Sequence, residues 1–159
     1  MSPHQSPFWF PPHELGPGEV CQPVVLADLP SHDSAVDVGH VGEEIAAAHL
    51  TGHGYVVVER NWRPAVSDIR GELDIVAVDD TGRALVIVEV KARCDAAHFG
   101  GAVAAVAPAQ QRRIRRLAAH FLATSPRSVG EVRFDLVAVD LPAPGTSGTG
   151  TLTHVVRAW

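Results

Sequence analysis

Apolar and polar positions divide this chain into segments of two periods. From Gly39 to about His53 an alanine-rich stretch reads as a helix closed by Gly52 and Gly54. From Pro108 to about Ala123 the apolar residues Ile114, Leu117, Ala118, Phe121 and Leu122 recur at i, i+3, i+4, i+7 and i+8, a single core-facing helical stripe. Pro108 suits a first helical position. Strand-like runs occupy Tyr55 to about Trp62, Gly71 to Val78, Ala84 to Lys91, Val132 to Val139 and Thr151 to Val156. Asp79-Asp80-Thr81-Gly82 supplies a turn, so the second and third runs form a β-hairpin over residues 71–92. Pro64 to Arg70, Phe99-Gly100-Gly101 and Pro142 to Gly150 read as loops. The order helix, strand, hairpin, helix, strand predicts an α/β domain with one central mixed β-sheet flanked by helices.

Residues 1–36 show neither period and carry seven of the twelve prolines. They are expected to form a disordered extension to a folded domain of residues 37–159. The aromatic cluster Phe8-Trp9-Phe10 is the one feature there that would suit a docking segment.

The hairpin places charge where apolar residues are the rule. In an extended strand Glu89 and Lys91 project to the same face, between Val88 and Val90. If the turn is centred between Thr81 and Gly82, Asp74 opposes Glu89 and Glu72 opposes Lys91; a loop of odd length would shift this register by one. Two carboxylates about 5 Å apart at an effective dielectric near 20 repel by roughly 3 kcal/mol. A divalent cation between them would offset the repulsion, and an oxygen-only donor set favours magnesium or manganese.

Composition sharpens this picture in three places. Lys91 is the only lysine among thirteen basic residues, which marks a position suited to a compact, titratable ammonium. The net charge of −5 is unevenly spread: residues 1–59 hold eight acids and no lysine or arginine, and residues 60–159 carry a net +3. Phosphate binding depends on a local patch, so the overall balance does not exclude a nucleic-acid partner. No apolar run approaches about 18 residues and the N-terminus lacks a signal pattern, so membrane insertion and secretion are not indicated, and the cytoplasm is the expected location. Cys21 and Cys94 show no metal spacing and are expected to remain thiols.

Gly42-Glu43, Gly71-Glu72-Leu73-Asp74, Val88-Glu89-Val90-Lys91-Ala92-Arg93, Gln111-Arg112-Arg113 and Arg133-Phe134-Asp135 together resemble the YraN-type family of bacterial proteins, related to archaeal Holliday-junction resolvases. The resemblance covers about residues 39–141. It implies a restriction-endonuclease-like fold and a metal-dependent DNA endonuclease, acting on branched or damaged DNA, with Mg2+ or Mn2+ as cofactor. Asp74, Glu89, Lys91 and Glu43 would be catalytic. Asp74, Glu89, the Val90 carbonyl and Glu43 would hold the metal, with Glu44 as the alternative to Glu43. Arg93, Gln111, Arg112, Arg113, Arg115 and Arg116 would contact DNA. Cutting opposed strands would require a homodimer.

Plainer roles compete with each assignment. Lys91 and Glu72 can form a simple cross-strand ion pair, the arginines of the second helix a solvated face, and Asp135 and Asp140 ion-paired strand residues. His49 and His53, with no third ligand, read as surface residues. Proteins of the family that this chain resembles usually have lysine where it has Gln110 and a hydroxyl residue where it has Ala107, departures that weaken the expected grip on substrate. The alternative function is a catalytically inactive DNA-binding or scaffold module with the same fold.

Overall fold

The computed structural model describes residues 24–26, 29, 34–65, 69–94, 106–144, 146 and 148–159. Its elements are β1 (Val24–Leu26), α1 (Ala35–Gly52), β2 (Val56–Trp62), β3 (Leu73–Val78), β4 (Ala84–Cys94), α2 (Pro108–Thr124), β5 (Glu131–Leu141) and β6 (Gly150–Val155). The strands form one sheet in the order β1-β6-β5-β4-β3-β2. Only β4 and β5 run parallel, joined through α2, and the other pairs are antiparallel. This mixed α/β sheet is compatible with a restriction-endonuclease-like fold.

The apolar patterns explain the layers. Val38, Val41, Ile45, Ala46 and Leu50 of α1 bury against Ile75, Ala77, Val86, Val88, Val137 and Val139 on one face of the sheet. The predicted stripe of α2, Ile114, Leu117, Ala118 and Phe121, buries against Leu73, Val76, Leu85, Ile87 and Leu136 on the other. β4 and β5 are central and covered on both faces, which is why they read as nearly continuous apolar runs. Among the described residues no helix is long and apolar enough to cross a membrane.

Two boundaries differ from expectation. α1 begins at Ala35, four residues before Gly39, because Ser34 accepts a hydrogen bond from the Asp37 backbone N–H and caps the helix. Val24–Leu26, within the segment assigned to the extension, pairs with Gly150–Leu152 at the sheet edge. Three residues are too few to display a period, and their strand is specified by the partner. Residues 1–23, including Cys21 and the aromatic cluster, and the Phe99-Gly100-Gly101 loop lie outside the described residues.

One buried polar network ties α1 to the far half of the sheet. Asp135 is fully buried and accepts from Arg133 Nε and Nη2 at 2.9 Å each, from His154 Nε2 at 2.9 Å and from the Arg157 backbone N–H at 3.0 Å. With Asp135 ionised, a neutral His154 carries its proton on Nε2, and its Nδ1 is then the acceptor for His49 Nε2 at 3.1 Å. Arg133 also donates to the Tyr55 hydroxyl at 2.6 Å. His49 is thus buried, contrary to the surface role expected for it, because its partner lies 105 positions away in the chain. Asp135 is an ion-paired strand residue, as its plainer role requires. The Arg133 and His154 bonds hold its carboxyl below the ordinary range against the opposing effect of burial. Asp135→Ala leaves Arg133, His154 and the Arg157 N–H without their acceptor and is expected to cost about 3–5 kcal/mol in denaturant unfolding. A loss below about 1 kcal/mol would contradict this account of the network.

Candidate metal and phosphate site

The hairpin register is the one that the turn dictates: Ile75 pairs with Val88, Val76 with Ile87, Ala77 with Val86 and Val78 with Leu85. At the next position the two strands part. Leu73 packs on the α2 side with Val76, three residues away, so side-chain alternation breaks at Asp74. The Asp74 carboxylate then takes over as acceptor, its Oδ2 bonding the Val90 N–H at 2.8 Å. β4 continues to Cys94 beyond the end of this pairing, leaving the edge of residues 89–92 uncovered on the β3 side.

A cleft of about 630 Å³ fills the gap. Glu89, Val90 and Ala92 of β4 line it, with Gly39 and Glu43 of α1 on one wall, Arg113 of α2 on another, and Arg63, Pro64, Ile69, Arg70, Gly71, Glu72 and Asp74 closing it from the β2–β3 side. Two glycines permit these approaches. A Cβ on Gly42 would lie 2.3 Å from that of Ala92, so only glycine lets α1 sit low enough on β4 to bring Glu43 to the cleft. Gly71 has φ +121° and lies against the stem of Arg113, where a side chain would be strained.

Each acid in the cleft has one oxygen held by the protein. Asp74 Oδ2 is held by Val90, Glu43 Oε2 by Asn61 Nδ2 at 2.9 Å, and Glu72 Oε2 by Arg63 Nε at 2.9 Å. Glu89 Oε1 accepts from Gln110 Nε2 and lies 3.7 Å from Lys91 Nζ. Asn61 reaches Glu43 from the end of β2 with φ +50°, a left-handed conformation that asparagine tolerates better than most residues. Among the described residues nothing donates to Asp74 Oδ1 or Glu89 Oε2. An extended residue's N–H and C=O share an edge, so the Val90 carbonyl also faces the gap.

Burial and the Glu89 charge push Asp74 up to about 7, against the Val90 hydrogen bond, which lowers it; Glu43 and Glu72 add smaller repulsions. Glu89 is also raised, chiefly by burial, with Lys91 and Arg113 opposing. A cation beside Asp74 and Glu89 would favour the ionised form of both. Among the described residues no three His, Cys, Asp or Glu side chains converge as a closed metal cage. The donor set nevertheless fits a hard ion that keeps several waters and takes one or two carboxylates, as Mg2+ does. The fit would be poor for zinc, which prefers nitrogen and sulfur.

The sequence profile of uncharacterised protein family UPF0102 matches residues 42–139. The chain belongs to UPF0102. Its relatives include a UPF0102 protein of Mycobacterium sp. strain JLS, 43% identical over 118 residues that cover 74% of this chain and 82% of the relative. Another, from Mycolicibacterium vanbaalenii, is 41% identical over 123 residues, covering 77% and 93%. A third, from Frankia alni, is 44% identical over 108 residues, covering 68% and 84%. The resemblance to the YraN-type family is therefore borne out. The UPF0102 match spans Glu43, Asp74, Glu89, Lys91 and Gln110 together.

Within this UPF0102 chain the cleft gathers some expected residues and not others. Asp74, Glu89, Val90, Glu43 and Arg113 line it, and Lys91 stands behind Glu89. Glu44 points elsewhere and pairs with Arg60 at 2.8 Å. Arg93, Arg112, Arg115 and Arg116 do not line the cleft. Arg115 lies over the Phe134 ring, with 5.7 Å to its centroid, and Gln111 Nε2 bonds the Val106 carbonyl at 2.8 Å, closing the start of α2. Sequence reasoning left Arg63 and Arg70 out of the site because they fall in a loop without periodicity, and treated Gln110 only as a lost substrate contact because its partners are brought to it only by folding.

Asp74 gives a pH test. Its folded value lies above the unfolded one, so the native state binds the extra proton, and the stability this contributes is fully present below about pH 4. That contribution is lost as pH rises through about 7. At most about 4 kcal/mol is involved. Asp74→Asn is expected to flatten the fall in Tm between pH 5 and pH 8 and to raise Tm at pH 8. Parallel Tm profiles for the two proteins would contradict the assignment.

Proposed function

We propose that the chain is a metal-dependent endonuclease that hydrolyses phosphodiester bonds of DNA. The observation that carries this reading is the acid pair Asp74 and Glu89, which line a cleft together with Arg63, Arg70 and Arg113, each acid having one oxygen that takes no hydrogen bond from the described residues. Asp74, Glu89 and the Val90 carbonyl would hold Mg2+ or Mn2+, with Glu43 completing the shell through a water. When bound, the cation supplies charge neutralisation on the phosphate and stabilisation of the leaving oxygen.

The chain's own residues account for the remainder. Lys91, on the same strand face as Glu89, orients the attacking water and favours its hydroxide form. The water oxygen bonds to phosphorus as the bond to the leaving oxygen breaks. Arg63, Arg70 and Arg113 grip neighbouring phosphates, which fixes the strand across the cleft without reading its sequence. Arg93, Arg112, Arg115 and Arg116 would extend this contact outward. Action on both strands of a branched or damaged substrate would use two copies of the chain.

The test is incubation of the purified protein with forked, four-way and linear DNA in Mg2+ or Mn2+. Asp74→Asn and Lys91→Ala are expected to lower cleavage by about a hundredfold or more. Cleavage that survives both substitutions would remove the mechanism. Binding without cleavage by the wild type would favour a DNA-binding module instead. In the same assay Arg70→Ala is expected to weaken binding and reduce the salt slope by roughly 0.9, the signature of one lost phosphate contact.

A further inference from the structure

We propose that Gln110 is a positioning residue, a two-way clamp that fixes Glu89 and Lys91 in the arrangement the cation site requires. The inference rests on the cation-binding reading given above. Gln110 lies in the first turn of α2, the element that faces the strand surface bearing Glu89 and Lys91. Its carboxamide carries a donor and an acceptor, and both are used. Nε2 donates to Glu89 Oε1, and Oε1 accepts from Lys91 Nζ at 3.3 Å.

The clamp has two consequences. Lys91 and Glu89 form an ion pair at 3.7 Å, longer than a hydrogen bond, while the ammonium bonds the amide at 3.3 Å. It therefore keeps capacity to bond a water or phosphate oxygen. Engaging Glu89 Oε1 from α2 also leaves Oε2 without a donor among the described residues, much as the Val90 bond leaves Asp74 Oδ1. Glu89 is 11% exposed and Lys91 25%, so neither bond is a passing surface contact.

An amide suits this position for a chemical reason. A carboxylate at position 110 would accept from Lys91 but repel Glu89. Lysine, usual at this position in similar proteins, would donate to Glu89 but could not accept from Lys91. The carboxamide of this chain carries both a donor and an acceptor and so bonds both neighbours.

Lys91 is the sole lysine, so protein labelled with 13C at lysine Cε gives one side-chain signal. That signal, recorded without metal, is compared between wild type and Gln110→Met and Gln110→Leu, with Tm as the check on folding. Mn2+ affinity is measured by calorimetry without DNA, using Asp74→Asn to identify the site. The expected result is a displaced Lys91 signal and Mn2+ affinity weaker by about tenfold in both variants, the usual effect of losing a group that orients a metal ligand. An unmoved signal with unchanged affinity in variants that fold would overturn the clamp. Should wild type show no Mn2+ binding that depends on Asp74, the cation reading fails. The Lys91 signal then decides the clamp alone, displacement upholding it and constancy overturning it.

Discussion

The hydrogen bond from the Val90 N–H to Asp74 Oδ2 is the interaction on which the site's geometry depends. It marks the place where β3 stops pairing with β4 and a side chain replaces the backbone as acceptor. A regular ladder would have covered the edge of β4 and left no cleft. A frayed one would have left the Val90 N–H unsatisfied in a part-buried place, at about 1–3 kcal/mol. Asp74 avoids both outcomes, since it ends the ladder and satisfies the exposed donor with one oxygen. The other oxygen and the Val90 carbonyl are the atoms that the proposed cation would use.

The same economy recurs around the cleft. Asn61 holds Glu43, Arg63 holds Glu72, and Gln110 with Lys91 holds Glu89, each through one carboxylate oxygen. Carboxylates pinned in this way lose little further freedom on binding a cation, which favours affinity. The concentration of negative charge is sustained by the rigid sheet beneath and by nearby arginines. Raised Asp74 and Glu89 burden the folded chain at neutral pH, and the proposed cation would relieve that burden.

Much of this was legible from residue order because its causes are local. The hairpin register followed from a short turn and a two-residue period, and Asp74 and Glu89 stood out as charges in apolar runs. The α2 stripe followed from helical spacing. What was not legible depends on distant partners. His49 and His154 meet across 105 positions, β1 is too short to carry a pattern, and Gln110 looks like any polar helix residue until α2 is laid across β4. The arginine-rich face of α2 could be ranked only after folding: spacing identifies an exposed face, but only tertiary structure tells which exposed arginine borders the cleft. Arg113 does, and Arg112, Arg115 and Arg116 do not line it.

The central claim is that the parted strands leave two carboxylate oxygens and one backbone carbonyl aimed at a single cation position. Crystals grown with Mn2+ and measured by anomalous diffraction test it most directly. The account predicts an anomalous peak within coordination distance of Asp74 Oδ1, Glu89 Oε2 and the Val90 carbonyl. A peak elsewhere in the molecule, with the cleft empty at saturating Mn2+, would contradict it.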